Sequence, residues 1–168
     1  MRLPSLLCAG LLALSATSAF AGATLDRVES RKEVVNVLME SYPPFSFLND
    51  QNQLDGFDVD VAKAVAQKLG VKLRLETPSW DVIAAGRWSG RYDLCICSMT
   101  PSKARAEVFD FPVEYYASPA VIVVNAKDDR IHSAKDLEGR KVGLTSASSY
   151  ESYLNKNLVI EGAEEQKI

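Results

Sequence analysis

The sequence predicts an α/β fold built on a largely parallel β-sheet, and three observations support that prediction. Short apolar segments rich in β-branched residues alternate along the chain with segments whose apolar residues recur at helical spacing. The composition of the 168 residues, 47% hydrophobic and 24% charged, is that of an ordinary globular protein. Hydroxyl-bearing residues follow two of the predicted strands, and parallel sheets bind ligands at the carboxyl ends of their strands.

The first half of the chain shows the clearest alternation. Apolar residues recur every four positions from Phe57 to Leu69, which predicts a helix that ends at Gly70. Pro43 and Pro44 end the preceding strand, because a proline donates no hydrogen bond to a sheet. The predicted elements are a strand over 34–39, a hairpin-like loop over 47–53, a helix over 58–69, a strand over 71–76 and a helix over 80–88.

The second half alternates in the same way, with shorter elements. Pro101 stands where the first turn of a helix tolerates proline. Ser133, with Asp136 three residues later, forms a helix-capping pattern. The predicted elements are a strand over 93–97, a short helix over 101–107, a buried strand over 120–124, a short helix from 133, a strand over 142–144 and a helix over 150–158.

Residues 1–21 are predicted to be a secretory signal peptide that is cleaved after Ala21. Arg2 supplies a positive start, an apolar run extends to Ala16, and residues 19–21 have the small-any-small pattern that signal peptidase cuts. The run is shorter than the roughly 20 apolar residues of a transmembrane helix. Cys8 lies inside the run rather than after a cleavage point, which argues against a lipid anchor. We therefore expect a secreted protein.

Cys95 and Cys97 remain after signal cleavage. Residues so close in sequence rarely reach disulfide geometry, so we expect two small buried hydrophobic side chains. Two cysteines without a nearby histidine make a poor zinc site, and His132 lies in a polar segment that predicts surface exposure. The sequence therefore predicts no metal and no cofactor.

Two groups of residues could bind a ligand through side chains. Tyr42, Phe45 and Phe47 cluster after the first strand, where they either pack together or cover a ligand's carbon skeleton or ammonium group. Arg105 lies on the first turn of a predicted helix, where its guanidinium and the helix N–H groups could clamp a carboxylate. Alternatively, Ser102 merely caps that helix and Arg105 is solvated.

A third group, Thr-Ser-Ala-Ser-Ser at 145–149, also lies between a strand and a helix. A second anion-binding turn there is the weaker hypothesis, because serines cap many helices.

Several kinds of chemistry lack their sequence signature. The chain contains no glycine-rich nucleotide loop and no GxSxG elbow, and its one histidine does not support a Ser-His hydrolase. Paired carboxylates such as Asp58 with Asp60 are interpreted as helix-end charges. The net charge of −3 argues against a nucleic-acid partner. Reversible binding of a small anion or zwitterion, rather than catalysis, is what these residues support.

An ordered set of motifs extends from Val34 to Tyr153. The motifs are Tyr-Pro-Pro-Phe-Ser-Phe at 42–47, Gly-Phe-Asp-Val-Asp-Val-Ala at 56–62, Ser-Met-Thr-Pro-Ser-Lys-Ala-Arg at 98–105, Phe-Asp-Phe at 109–111, Asp-Leu-Glu-Gly at 136–139 and Val-Gly-Leu at 142–144. In order and spacing the set resembles the periplasmic solute-binding proteins of polar amino-acid ABC transporters, the family-3 extracellular solute-binding domain. The resemblance implies the type II periplasmic-binding-protein fold, in which two α/β lobes close on a ligand like a Venus flytrap.

The resemblance also implies the ligand-binding residues. Two aromatic side chains would form opposite walls over the ligand. Ser98 and Thr100 would hydrogen-bond its α-ammonium and α-carboxylate, Arg105 would clamp the carboxylate, and Ser149, supported by Ser148, would present a backbone N–H to it. In chain order the implied residues are Tyr42, Trp80, Ser98, Thr100, Arg105, Ser148 and Ser149.

Three other motif positions carry no ligand role in this scheme. Gly56 and Asp58 match a motif that we interpret as structural. Cys97 stands where many family members carry Ser or Gly, which leaves one polar contact in doubt.

The resemblance implies a domain organisation as well. Residues 22–33 would lead into lobe 1 at 34–119, residues 120–130 would form the first crossover, and residues 131–168 would begin lobe 2. The resemblance does not include the rest of lobe 2 or the return crossover. We therefore expect a C-terminally truncated chain that binds little ligand alone.

The implied function is that of a monomeric periplasmic component that captures an amino acid and delivers it to an inner-membrane permease. Two alternatives use the same domain: an enzyme of the cyclohexadienyl dehydratase or lytic transglycosylase type, and the sensory input domain of a receptor kinase. The sequence does not identify the amino acid.

Overall fold

The computed structural model describes residues 22–138, 140–157 and 164–167. The helices are α1 (Ala23–Arg31), α2 (Phe57–Leu69), α3 (Trp80–Ala85) and α4 (Ser149–Asn157), with short 3₁₀ helices at Arg105–Glu107 and Ala134–Leu137. The strands are β1 (Glu33–Val37), β2 (Phe47–Leu48), β3 (Leu54–Asp55), β4 (Lys72–Glu76), β5 (Lys141–Leu144) and β6 (Glu164–Lys167).

Strands β1 and β4 pair in parallel, with Val35 opposite Arg74. Helix α2 makes the crossover that a parallel pair requires. An isolated parallel bridge between Asn36 and Leu94 adds a third segment beside β1. Strands β5 and β6 are also parallel, whereas β2 and β3 form a short antiparallel hairpin. The predicted α/β class with parallel pairing is confirmed.

Strand β1 forms the centre of the core. Its residues from Val34 to Val37 are at most 1% exposed. Because successive side chains of a strand point to opposite faces, β1 contributes to two hydrophobic clusters. One contains Val37, Leu38, Val59, Ile83 and Cys97, and the other contains Val28, Val34 and Ala66.

Helix α2 is bounded by two glycines in positive-φ conformations. Gly70, at φ 66°, ends the helix as the sequence predicts. Gly56, at φ 122°, precedes it, and a Cβ atom there would lie 2.5 Å from the carbonyl oxygen of Phe45. Only glycine allows the loop after β1 to approach the start of α2 so closely.

Helix α1 is an element that the sequence analysis did not assign. It is held to the core by Asp93, whose side chain is fully buried and is paired with Arg27 at 2.9 Å and with Arg31. The same carboxylate accepts the N–H of Val35 at 2.9 Å. These partners lie 58 to 66 residues apart in sequence, which no local pattern reveals.

Two predicted elements are shorter than expected. Helix α3 ends at Ala85 rather than at 88, because Gly86 adopts the left-handed conformation that ends a helix. Residues 93–97 pair with β1 through the Leu94 bridge and do not form a regular strand.

Two further predictions are wrong. The helix predicted over 101–107 is reduced to the 3₁₀ turn that starts at Arg105, so Pro101 is not a first helical residue. The strand predicted over 120–124 is irregular and solvent-exposed, with Val121 at 74% and Val123 at 88% exposure. A β-branched run becomes a buried strand only where another segment supplies hydrogen bonds, and none of the described residues does so here.

The remaining predictions near the C-terminus agree with the structure. The 3₁₀ turn after Ser133 carries the expected cap, in which the Ser133 N–H donates to Asp136 at 2.7 Å. Strand β5 and helix α4 lie where they were expected. Leu158, the predicted signal peptide and Gly139 lie outside the described residues.

Candidate ligand-binding site

The predicted site residues lie after strands, either in the following loop or at the first residue of the next helix. Tyr42 follows β1, Trp80 follows β4, Ser98 to Arg105 follow the segment paired with β1, and Ser148 with Ser149 follows β5. In each of the two parallel sheets, β1–β4 and β5–β6, these residues follow the carboxyl ends of strands, where α/β sheets bind ligands.

Arg105 joins two of these loops. Its Nη1 donates to the Thr100 carbonyl at 2.8 Å, and its Nη2 donates to the Ala147 carbonyl at 3.1 Å. The side chain is half-buried, and desolvation by burial lowers the pKa of its guanidinium. Among the ion pairs of the described residues, none joins Arg105 to a carboxylate. The two carbonyls engage two of five N–H donors, so the site offers positive charge to an anion.

Trp80 lies against Arg105 and reaches the same carbonyl. The Arg105 Cζ lies 5.5 Å from the centroid of the Trp80 ring, within cation–π range. The indole Nε1 donates to the Ala147 carbonyl at 3.3 Å. The structure thus brings Trp80, Arg105 and the turn at Ala147 together.

Ser98 is hydrogen-bonded to a buried carboxylate, that of Asp58. Its Oγ donates to Asp58 Oδ2 at 2.6 Å, and its N–H donates to the Tyr115 hydroxyl at 2.8 Å. That hydroxyl donates in turn to Asp58 Oδ1 at 3.0 Å. Both the backbone N–H and the side chain of Ser98 are thus held by this pair of residues.

Asp58 is fully buried, and desolvation raises the pKa of its carboxyl although the hydrogen bonds from Ser98 and Tyr115 oppose the shift. Burial likewise raises the pKa of the Tyr115 hydroxyl. In the sequence, Asp58 belongs to a motif interpreted as structural, and no motif marks Tyr115. The two residues are 57 positions apart in the sequence, so no local pattern indicates that they meet.

Tyr42 lies near Tyr150 of helix α4, the helix that follows the turn at residues 145–148. Its ring stacks on Phe45 at a centroid distance of 5.3 Å. Burial, and after it the neighbouring Tyr150 hydroxyl of α4, raises the pKa of Tyr42 to about 12. Tyr150 is a further contact residue that the sequence analysis missed.

The turn before α4 is partly occupied by its own chain. Ala147, at φ 57°, directs its N–H to the Glu151 carboxylate at 2.5 Å. Ser148 is buried, with its N–H directed to the Thr145 carbonyl at 3.3 Å. Ser149 begins α4, where the first N–H groups of a helix have no partner within it. Ser149 therefore remains the candidate anion donor of this turn.

Cys95 and Cys97 form a disulfide, so the expectation of two free cysteines is wrong. Their Cα atoms lie 5.2 Å apart, against about 6.6 Å for residues two apart in an extended strand. The departure from regular strand geometry at 93–97 thus permits the bond. The predicted burial is confirmed for Cys97, which is 1% exposed, whereas Cys95 is only partly buried.

The described residues contain neither a cluster of metal ligands nor a membrane-spanning helix. No group of three or more His, Cys, Asp or Glu side chains there could hold a metal ion. No helix in that part of the chain is long and apolar enough to cross a membrane.

The α/β fold is that of the solute-binding proteins. Residues 34–163 match the bacterial extracellular solute-binding proteins, family 3. The chain belongs to this family, and the predicted fold of two-lobe type II binding proteins is confirmed.

Named relatives are amino-acid-binding proteins. A "probable amino-acid ABC transporter-binding protein" of Haemophilus influenzae is 37% identical over 86% of this chain and 56% of its own length. The L-cystine-binding protein TcyJ of Escherichia coli is 36% identical over 80% of this chain and 51% of its own. A solved ancestral arginine-binding protein, bound to arginine, is 35% identical over 82% of this chain and 61% of that chain, with a TM-score of 0.77. The chain spans about half the length of the curated relatives it matches.

Proposed function

We propose that this protein is the solute-capturing component of an amino-acid ABC transporter, and that Arg105 binds the α-carboxylate of its ligand. The observation that carries the proposal is the half-buried Arg105 guanidinium, which has no carboxylate partner among the described residues and joins loops from both halves of the site. A carboxylate that accepts two parallel N–H bonds from a guanidinium is the strongest complement to such a group.

The other six predicted residues take roles around that contact. Tyr42 and Trp80 are the aromatic walls, Ser98 and Thr100 direct polar backbone groups to the amino-acid head group, and Ser149 supplies an N–H at the start of α4. The positions of Trp80 beside Arg105 and of Thr100 under its Nη1 support this arrangement. The buried Ser148 packs the turn, since its Oγ accepts the Glu151 N–H at 3.2 Å.

The proposed activity is binding rather than catalysis. A dehydratase needs an accessible acid or base in the cleft, whereas Asp58, the buried carboxylate of this site, is fully buried and hydrogen-bonded to Ser98 and Tyr115. The partner that we propose is the permease of the inner membrane, and the compartment is the periplasm, reached through signal cleavage after Ala21.

The domain boundaries also remain proposals: residues 34–119 as lobe 1, 120–130 as the crossover and 131–168 as the start of lobe 2. The exposed apolar residues Val121 and Val123 fit a crossover that another segment covers. Two of the relatives named above bind cystine or arginine by their descriptions, so these two amino acids are the first probes.

The test is isothermal titration calorimetry of the whole gene product without residues 1–21, including whatever the gene encodes after Ile168. The titrants are L-arginine and L-cystine, followed by the other amino acids. We expect saturable binding of at least one of them, and loss of that binding in Arg105→Ala. Arg87→Ala, which changes an exposed arginine at the end of the α3 region, is the matched control. Binding of no amino acid, or equal binding by wild type and Arg105→Ala, would contradict the proposal.

A further inference from the structure

Asp58, Ser98 and Tyr115 form a closed ring of three hydrogen bonds. Ser98 Oγ donates to Asp58 Oδ2 at 2.6 Å, Tyr115 donates its hydroxyl proton to Asp58 Oδ1 at 3.0 Å, and the Ser98 N–H donates to the Tyr115 oxygen at 2.8 Å. Ser98 donates twice and Asp58 accepts twice, with the Tyr115 hydroxyl accepting from one and donating to the other, so the two carboxylate oxygens and the phenol oxygen are all used. The ring holds both the side chain and the backbone of Ser98.

Ser98 needs such restraint because its backbone is in the left-handed region, at φ 58°. A residue other than glycine keeps that conformation only where its surroundings impose it. Asp58 is well suited to impose it, since it is fully buried on the first turn of α2, where the helix dipole favours a negative charge. The Asp58 N–H donates to the Phe45 carbonyl at 2.8 Å, which fixes this turn against the loop after β1.

The restraint at Ser98 passes along the ligand loop, which we define as residues 98–105. The left-handed turn at its start determines where the Thr100 carbonyl lies, and that carbonyl accepts the Arg105 Nη1 at 2.8 Å. Tyr115 is also stacked on Phe57, with ring centroids 5.9 Å apart. The start of α2 therefore holds both partners of Ser98.

We propose that Asp58 and Tyr115 are positioning residues that lock Ser98 in its left-handed conformation and so place Arg105 for ligand binding. The effect on binding rests on the proposed function, whereas the effect on the ligand loop does not. Neither side chain needs to touch the ligand, because both act through Ser98.

The test combines ligand affinity with hydrogen exchange, using the protein from residue 22 to its natural stop codon. The variants are Asp58→Asn and Tyr115→Phe, and the probes are L-arginine and L-cystine. We expect each variant to weaken binding about tenfold, the effect of losing one well-placed hydrogen bond to a charged group. We also expect faster exchange at the Ser98 amide in both variants. Asp60→Asn, two residues along α2 and largely exposed, is the matched control and leaves both measurements unchanged.

A glycine at position 98 separates positioning from general destabilisation. Glycine adopts positive φ without restraint, so in a Ser98→Gly background the further change Asp58→Asn should weaken binding less than twofold. An equal tenfold loss in both backgrounds would show that Asp58 acts through overall stability and would overturn the proposal.

The exchange measurement keeps the two proposals distinguishable. If the wild-type protein binds no amino acid, the proposed function fails, and faster Ser98 exchange in Tyr115→Phe still supports the positioning role. If exchange at Ser98 and across the ligand loop is unchanged in Asp58→Asn and Tyr115→Phe, the positioning role is overturned whatever the protein binds.

Discussion

The Nη2 of Arg105 lies 3.1 Å from the carbonyl oxygen of Ala147, a residue 42 positions further along the chain. The same oxygen accepts the indole N–H of Trp80 at 3.3 Å. Ala147 presents this carbonyl from a left-handed backbone, at φ 57°. The carbonyl therefore accepts from both Trp80 and Arg105, two residues that our proposal assigns to ligand binding. In that proposal Arg105 both binds the ligand and connects the 98–105 segment to the turn at Ala147.

Two replacements of Arg105 distinguish what its positive charge contributes to ligand affinity from what its bidentate geometry contributes. We expect Arg105→Ala to reduce amino-acid affinity by about thirtyfold or more, because truncation of a charge-paired partner in a binding site costs about 2–5 kcal/mol. Arg105→Lys should recover little of it, since an ammonium cannot make two parallel bonds to a carboxylate. Titration calorimetry gives the affinities, and full recovery by Arg105→Lys would contradict the bidentate geometry.

Removing the Asp93 carboxylate should destabilise the fold. Asp93 is the buried partner of Arg27 and Arg31, and loss of one partner of such a group costs about 3–5 kcal/mol. We expect Asp93→Ala to lose unfolding free energy near the lower end of that range, because each arginine is about one-third exposed to solvent. Urea unfolding of Asp93→Ala, compared with Asp50→Ala in an exposed loop, measures the difference. A change equal to that of the control would show that α1 is held by apolar contacts alone.

Alanine substitutions of Gly70 and Gly56 distinguish two causes of lost stability: a strained backbone conformation and a steric clash of the new Cβ atom. In Gly70→Ala the new Cβ meets nothing within 4 Å, so only the left-handed backbone costs energy, about 1–2 kcal/mol. In Gly56→Ala the Cβ would lie 2.5 Å from the Phe45 carbonyl oxygen, so the loss of unfolding free energy should exceed that of Gly70→Ala. Equal losses in urea unfolding would mean that the loop after β1 yields without cost.

The raised pKa of Tyr42 predicts a pH dependence at alkaline pH. Folding raises this pKa from 10.0 to about 12, so the folded state holds the proton more tightly than the unfolded state. The resulting stability is fully present below pH 10 and is lost as the pH rises through about 12. Tyr42→Phe lacks this titration, so its unfolding free energy relative to wild type should rise between pH 10 and 12. A constant difference between the two proteins across that interval would show that Tyr42 titrates normally.

Local patterns were sufficient where one segment contains its own signal. The period of four and the flanking glycine predict α2 and its end at Gly70. The capping pattern predicts the turn after Ser133. Motif order predicted the family, which the match over residues 34–163 confirms.

Local patterns failed where the outcome depends on a distant partner. The apolar run at 120–124 looks like a buried strand, but the described residues supply no neighbour for it, and Val123 is 88% exposed. Cys95 and Cys97 were predicted to be free because regular strand geometry was assumed, and the departure from it brings their Cα atoms to 5.2 Å.

The sequence by itself determined the α/β class, the family, and the residue types that could hold an amino-acid head group, because apolar periodicity, turn residues and motif spacing are encoded within short segments. The tertiary structure alone decided which groups meet: Arg105 with the Ala147 carbonyl, and Ser98 with Asp58 and Tyr115. Those contacts join residues 17 to 42 positions apart, and chain folding, rather than any local preference, determines whether such groups come within hydrogen-bond distance.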